Sequence, residues 1–358
     1  MSTSGPVVGA EVMKKGDHGH GQSDEDGHNE SLGSHFGHMM KAFVGANYLS
    51  IPYAVKCAGL GVGLVGLGII GALTGYCCML LIECKRKLEA RRAGGGAVSY
   101  GDIAATVYGP TGRLVVDSAV VITQLGFCIG YFIFVSSNAA MVFGHESHAW
   151  FFLVAMVPGV LLLSLIQDMS KLVPFSLAAD AVLLFGFVVI TARALDQMAF
   201  APPPDGDVVL ANWSSFALFF GVVVSGFEGI ALVVPMESNM GLAPATFTRL
   251  LTLCIVVVSL IFMLFGVLGY LAFGSAVEDV LTLNIEPTPL LNVVTLCICL
   301  GVVFTYPLQL FPVIDIVAEA TGSNAPAHRK AIATALVATT ALIAYILPRF
   351  GLLLSLIG

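Results

Sequence analysis

Two apolar segments of this chain are each interrupted in the middle by small and polar residues. The first interruption runs from Gly45 to Pro52 (GANYLSIP) and the second from Ser225 to Gly229 (SGFEG). In hydrocarbon an unpaired backbone amide or carbonyl costs several kcal/mol, so non-helical backbone persists there only beside a cavity or inside protein. We therefore expect both interruptions to leave main-chain polar groups free for a ligand, although glycine and proline are also simply frequent in membrane helices.

Each interruption offers main-chain groups of one kind. Pro52 with Ser50 just before it is typical of a helix start, and the free N–H groups and positive dipole end of that half-helix suit a carboxylate. The half-helices at the second interruption expose carbonyl oxygens, which suit an ammonium group. A ligand that carries both charges a few ångströms apart is an amino acid. The expected ligand contacts are Gly45, Ala46, Asn47, Tyr48, Ser50, Ser225, Gly226, Phe227 and Gly229.

Four aromatic residues are candidates for selective recognition of the ligand's side chain, with ordinary packing as the alternative: Tyr48, Phe127, Tyr131 and Phe227.

Ionisable residues within apolar segments are costly and are candidates for function. Glu228 stands inside the second interruption, where its carboxylate could take up a proton, bond freed amides or have a purely structural role. His38 lies just ahead of the first apolar segment, and histidine titrates in the range useful for proton coupling. Less well placed are Asp180, Asp315 and Glu237. The histidines of the N-terminal tail could bind a metal or sense pH, but they also fit a solvated polar tail.

The composition defines the class of structure that must position these residues. The 358 residues are 57% hydrophobic and 11% charged, with a mean hydropathy of +0.91, whereas soluble chains carry about 25% charged residues. The apolar segments are too long and too unalternating for a β-barrel, so we predict an all-α polytopic membrane protein. Nine spans and a shorter final stub are predicted, at 39–57, 62–84, 114–143, 149–166, 172–193, 216–235, 250–273, 290–317, 331–347 and 352–358.

The polar regions indicate the orientation and the domain limits. Residues 1–37 predict a disordered cytoplasmic tail, followed by a transmembrane domain at 38–358, with repeats at about 38–193 and 214–358. Without a cleavable signal peptide, the first span would act as the signal. Thirteen of the 16 Lys and Arg residues fall on one side, with Lys56, Arg193 and Arg349 on the other, which predicts a cytoplasmic N-terminus. The stretch 93–112 fits either an interfacial helix or a plain loop. The eight cysteines predict no structural disulfide.

The chain resembles the amino acid/auxin permease family, in its proton-coupled and vacuolar neutral amino acid transporter branch. The resemblance covers about residues 36–358, and its matching strings lie at 38–45, 51–54, 123–128, 225–230, 235–237, 268–274 and 306–308. It implies a five-plus-five inverted-repeat fold with discontinuous first and sixth spans, a substrate held between those spans, and coupling to a proton gradient. In proton-coupled members a histidine ahead of the first span is implicated in coupling, and His38 occupies that place.

The chain departs from the family pattern in three respects. Asn47 stands where the family usually has glycine, which adds a side chain to the first interruption. The outer-loop cysteines of the animal branch are missing, which favours the vacuolar or protist-like branch. The family has eleven spans, whereas this sequence ends as the tenth begins, so the second repeat is expected to be incomplete.

Together these observations predict secondary active transport of small neutral amino acids, coupled to protons, in a vacuolar or lysosomal membrane rather than the plasma membrane. One alternative is sodium coupling on the same fold, for which Thr305 and Thr295 offer hydroxyls. Another is an amino acid sensor at an endomembrane. The expected partners are amino acids, protons and the lipid bilayer. We expect no catalytic residues, cofactor, metal site or nucleic-acid partner.

Overall fold

The computed structural model describes residues 32–91, 98–166, 173–200, 208–227, 229–323 and 325–358. Most of the predicted tail and Glu228 lie outside this part of the chain, as do the side chains of His38, Ala46 and Asp180. The described residues form twelve α-helices joined by short 3-10 helices and loops. Their bounds are α1 Leu32–Phe43, α2 Ile51–Ala58, α3 Leu60–Arg91, α4 Tyr100–Val142, α5 Ala149–Ser164, α6 Val173–Phe200, α7 Phe216–Gly226, α8 Ile230–Met240, α9 Pro244–Phe273, α10 Pro289–Ala320, α11 Pro326–Ile346 and α12 Phe350–Ile357.

The helices coincide with the predicted spans. Among the described residues, six helices are long and apolar enough to cross a membrane, namely α3, α4, α6 (from Ala181), α9, α10 and α11. The shorter α5 is equally apolar, and the predicted first and sixth spans are the broken pairs α1–α2 and α7–α8. The prediction of an all-α polytopic membrane protein with discontinuous first and sixth spans is therefore confirmed, with α12 as the short final element.

Helix α4 lies at the centre of the assembly. Within its most apolar window 61% of the residues are buried, against 22% for α6, which presents more of its surface outward. Helix α10 packs along α4 and α6, and α12 lies against α4 and α7. The approach of α12 to α7 requires a glycine, because a side chain at Gly221 would collide with the backbone of Ser355. Helix α12 thus contacts both α4 and α7, beside the second break.

A surface helix precedes the membrane part of α4. Ser99 accepts a hydrogen bond from the Asp102 N–H and donates its own N–H to the Asp102 carboxylate, both at 3.1 Å, which forms a capping box. The helix turns sharply at Gly109, whose φ of 67° suits glycine, just before Pro110. Of the two alternatives for 93–112, the structure shows a helix over the described residues of that stretch.

The surface helix is held by a small apolar cluster of its own. Val98 and Ile103 are buried against Leu81 of α3 and Val234 of α8. The start of α4 is therefore packed on the helix that follows the second break.

Ion pairs gather at one end of the helices, which we call the basic end. Glu237 of α8 pairs there with Lys85 and Arg86 of α3. Arg113 of α4 pairs with Glu319 of α10. The other end, which we call the opposite end, carries Lys56 and Arg349 at the ends of α2 and α12. Glu237 thus has a structural partner, and so does Asp315, which pairs with Arg329.

Candidate functional site

The first break separates α1 from α2. Helix α1 ends at Phe43, Gly45 is extended (φ −91°, ψ −174°), and a 3-10 helix from Ala46 to Ser50 runs directly into α2. The α-helix begins at Ile51 with Ser50 as its N-cap residue and Pro52 in its first turn, as the sequence predicted, and the 3-10 helix from Ala46 directly precedes it. The first N–H groups of a helical segment have no carbonyl one turn earlier in that segment to bond, so the amides expected to bind a ligand are those at the start of the 3-10 helix.

Ser50 has a different role from the predicted cap. Its hydroxyl forms no capping bond to α2 and instead donates to the main-chain carbonyl of Asp279 at 2.6 Å. Ser50 is fully buried, so it joins α2 to the loop that precedes α10. A direct contact with a ligand stays a prediction for this residue.

The second break separates α7 from α8. Helix α7 ends at Gly226, and the Phe227 N–H turns back to the carbonyl of Val224 at 3.1 Å. The next helix begins at Ile230 after Gly229, whose carbonyl accepts from Leu232 N–H at 3.0 Å. The final carbonyls of a helix lack partners within it, so the end of α7 presents acceptors, as the sequence predicted.

The two breaks lie against each other. The side-chain amide of Asn47 donates to the carbonyl of Ser225 at 3.4 Å, and both residues are buried. A side chain at Gly226 would begin 3.2 Å from the Cδ1 atom of Ile51, so the Ile51 side chain packs closely on the end of α7. The side-chain amide of the first break and a main-chain carbonyl of the second are therefore in direct contact, and the binding of a zwitterion at this place stays a prediction.

Two of the predicted aromatic residues pack away from this contact. Tyr48 makes edge-to-face contacts with Phe187 of α6 and Phe265 of α9 at 5.4 and 5.5 Å between ring centroids. Phe227 packs on Phe262 of α9 at 5.3 Å. These contacts explain the burial of both rings by packing alone, so their part in recognition stays a prediction.

The other two aromatic residues lie on one face of α4. Phe127 and Tyr131 are four residues apart, and Asn138 follows seven residues later on the same face; all three are buried. Tyr131 accepts a hydrogen bond from the side-chain amide of Gln309 on α10 at 3.3 Å. Asn138 accepts from Thr282, in the loop that also contacts Ser50. This face of α4 therefore contacts α10 and the loop before it, and a contact of Phe127 or Tyr131 with a ligand stays a prediction.

Gln309 is a residue that the sequence analysis missed. It is an uncharged amide in an apolar helix, between the helix-interior residues Pro307 and Pro312. Neither proline can donate to the carbonyl four residues earlier, so α10 carries extra acceptors around Gln309. A polar residue flanked by two prolines in a predicted span was the available signal.

The coupling candidates are described in part. His38 lies in α1 and Glu228 between α7 and α8, but the His38 side chain and the whole of Glu228 lie outside the described residues, so both roles stay predictions. The hydroxyl of Thr305, the candidate sodium ligand, donates to the Gly301 carbonyl at 3.0 Å. Among the described residues, no group of three His, Cys, Asp or Glu side chains could hold a metal ion.

The fold and the paired breaks define a multi-pass membrane protein whose two discontinuous helices meet at their unwound parts. The family described as "Transmembrane amino acid transporter protein" matches residues 28–358, and the chain belongs to this family. The family consists of transporters rather than enzymes, and the predicted resemblance to the amino acid/auxin permeases is confirmed.

Relatives from plants and fission yeast share the sequence over most of this chain. The amino acid transporters AVT3C and AVT3A of Arabidopsis thaliana are each 33% identical to it. AVT3C aligns over 90% of this chain and 78% of its own length, and AVT3A over 90% and 76%. Vacuolar amino acid transporter 3 of Schizosaccharomyces pombe is 32% identical over 78% of this chain and 42% of its own length.

Proposed function

We propose that this chain is a secondary active transporter that carries small neutral amino acids across a vacuolar membrane together with protons. The observation that carries the proposal is the contact between the two breaks, Asn47 to Ser225. Membership of the amino acid transporter family and the names of the plant and yeast relatives support amino acids as the cargo and the vacuole as the location.

In this proposal the ligand is held mainly by backbone. The substrate carboxylate binds the N–H groups at Gly45, Ala46 and Asn47, and its ammonium binds the carbonyls at the end of α7. The main chain binds the atoms that all amino acids share. We assign recognition of the substrate's side chain to Phe127 and Tyr131 of α4. Because Asn47 and Ser225 are buried where the two breaks meet, we expect the site to favour substrates with small side chains.

Proton coupling is assigned to Glu228 and His38, the two ionisable residues that the sequence places at or before the breaks. Sodium coupling through Thr305 is the alternative. The basic end, with its Lys85, Arg86 and Arg113, faces the cytoplasm under the positive-inside rule. The N-terminus would then also be cytoplasmic, because α1 begins at that end.

Uptake of labelled alanine or proline into proteoliposomes tests the proposal. Uptake should rise with an imposed pH gradient and should not change when sodium is replaced by potassium. Equal uptake rates with and without the pH gradient would show that transport is not coupled to protons. A requirement for sodium would favour sodium coupling. Tight binding without net flux would indicate a sensor.

A glycine substitution tests the position of the site. Gly45→Val places a branched side chain beside the free amides of the first break and should abolish transport while membrane insertion persists. Gly159→Val is the matched control, because a side chain at Gly159 in α5 would have no heavy atom within 4 Å. Transport by the Gly45 variant at the level of the control would show that the site lies elsewhere.

A further inference from the structure

The loop between α9 and α10, residues 274–288, is an ordered unit rather than a simple connection. Asn284 joins its two arms, donating to the Ala276 carbonyl and accepting from the Glu278 N–H, both at 2.7 Å. The apolar side chains of Val277, Val280 and Leu281 are buried beneath it. The loop is therefore held in one shape by its own hydrogen bonds and buried side chains.

This unit is bound at the opposite end to α2, to α4 and to the 3-10 helix of the first break. Lys56 of α2 donates to the Val277 carbonyl at 2.7 Å, and Thr282 donates to Asn138 of α4 at 2.5 Å. Ser50, the last residue of the 3-10 helix and the N-cap residue of α2, donates to the Asp279 carbonyl at 2.6 Å. The loop thus covers the half-helix that leaves the first break and connects it to the central helix.

Asp279 makes two of the loop's attachments at once. Its main-chain carbonyl holds Ser50, and its carboxylate accepts the N–H of Gly351, in the first turn of α12, at 2.9 Å. An anion is favoured at that position by the free N–H groups and the dipole of the helix. We call the set Ser50, Asp279 and Gly351 the Asp279 junction.

The surroundings of the junction are closely packed. A side chain at Gly351 would lie 2.9 Å from the Tyr53 ring and 3.0 Å from the Asp279 carboxyl carbon. Lys56 also lies over the Tyr53 ring, at 5.6 Å from its centroid. Glu278, next in the chain to Asp279, is exposed and its side chain takes no part in these bonds.

We propose that Asp279 is a positioning residue of the transport site, which holds the half-helix of the first break closed against α12 at the opposite end. The proposal rests on the proposed function, since it assigns to Asp279 the closure of one route to that site. The main-chain carbonyl of Asp279 holds Ser50 and its carboxylate holds Gly351, so both bonds oppose opening at this end and each can be removed separately. Asp279 therefore sets how often the site is open on that side.

The first test measures the junction itself by hydrogen–deuterium exchange of the purified full chain. Asp279→Ala should speed exchange in the first turn of α12 about tenfold, which corresponds to about 1.4 kcal/mol. Glu278→Ala, the neighbouring carboxylate, should leave it unchanged. Asp279→Asn keeps the shape without the charge and should give a smaller effect, and it replaces the alanine variant if that fails to fold.

The second test measures transport, with substrate offered at the opposite end. Asp279→Ala removes the carboxylate bond to Gly351 and keeps the main-chain bond to Ser50. The open state becomes more populated and closure less favourable, so apparent KM and turnover should both fall, each at least threefold. Ser50→Ala should do the same without changing exchange in α12, because it breaks only the bond to α2. A variant that was merely less stable would lose turnover without binding its substrate more tightly.

The two measurements separate the outcomes. Equal exchange and equal kinetics for the Asp279 and Glu278 variants would overturn the inference. Faster exchange in α12 with unchanged KM would also overturn it, since the junction would then be structural only. If no amino acid is transported at all, the proposed function fails, while the exchange experiment still shows whether Asp279 holds α12.

Discussion

Replacing Glu237 should destabilise the protein through the buried cation it leaves behind. Glu237 accepts hydrogen bonds from Lys85 at 2.9 Å and from Arg86 at 2.6 Å. The side chains of Glu237 and Lys85 are only 9% and 3% exposed, so water cannot replace the lost partner. Breaking a buried pair on one side costs about 3–5 kcal/mol.

The remaining contacts place Glu237→Gln at the lower end of that range. Lys85 keeps Glu89 at 3.3 Å, but Glu89 is 37% exposed and compensates only in part. We therefore expect a loss of about 3 kcal/mol in the free energy of unfolding, or roughly a hundredfold in the unfolding equilibrium. Equilibrium unfolding of the purified protein in detergent measures this loss.

Two comparisons make the test specific. Glu83→Gln removes a carboxylate from the same helix as Lys85, but its pair with Lys87 is largely exposed, so no measurable change is expected. Replacing both buried partners by apolar residues, Glu237→Leu with Lys85→Met, should be less harmful than Glu237→Gln alone. If Glu237→Gln costs no more than Glu83→Gln, the buried charge does not contribute as reasoned.

Two further predictions concern Asn47 at the first break and the hydrogen bond between Gln309 and Tyr131. Asn47→Ala removes the amide that reaches Ser225 and should let larger amino acids enter, so leucine should inhibit alanine uptake several-fold more strongly than in the unaltered protein; an unchanged inhibition series would argue against a role for Asn47 in size selection. Gln309→Leu and Tyr131→Phe each break the same hydrogen bond, so each should cost about 1 kcal/mol of stability and the double variant little more. Fully additive losses in unfolding experiments would show that the two side chains act separately.

The spans were predictable because crossing a membrane requires long apolar segments, and few other structures produce them. The interruptions that begin at Gly45 and Ser225 could also be predicted, because runs of small and polar residues are conspicuous within long apolar segments. That the two breaks touch also agrees with the structure, through Asn47 and the carbonyl of Ser225.

The details of the site depend on partners far away in sequence, and these could not be predicted. Ser50 fits a helix cap by its position before Pro52, but the carbonyl of Asp279, more than two hundred residues later, takes its hydroxyl instead. Tyr48 packs between Phe187 and Phe265, partners that its own position in the sequence does not reveal, and its contact with a ligand stays a prediction. Local patterns give no information on which distant group competes for a side chain.

A local signal was overlooked at the start of α4. Ser99 followed three residues later by Asp102 forms a capping box in the structure. The sequence therefore contained the start of the surface helix, and reading 93–112 as either a helix or a loop was more cautious than necessary.

The bend at Gly109 has a mechanical consequence. Pro110 has no N–H to give to the turn before it, and a side chain at Gly109 would touch nothing within 4 Å. The short helix before the bend packs through apolar side chains on α3 and α8, while Arg113 just after the bend forms an ion pair with Glu319 of α10. The bend at Gly109 thus lies between these two attachments, and Arg113 also pairs across it with Asp102 at 3.8 Å. A change in the tilt of the surface helix relative to the rest of α4 would therefore rotate the backbone at Gly109 and stretch that pair, while the long membrane part of α4 stays straight.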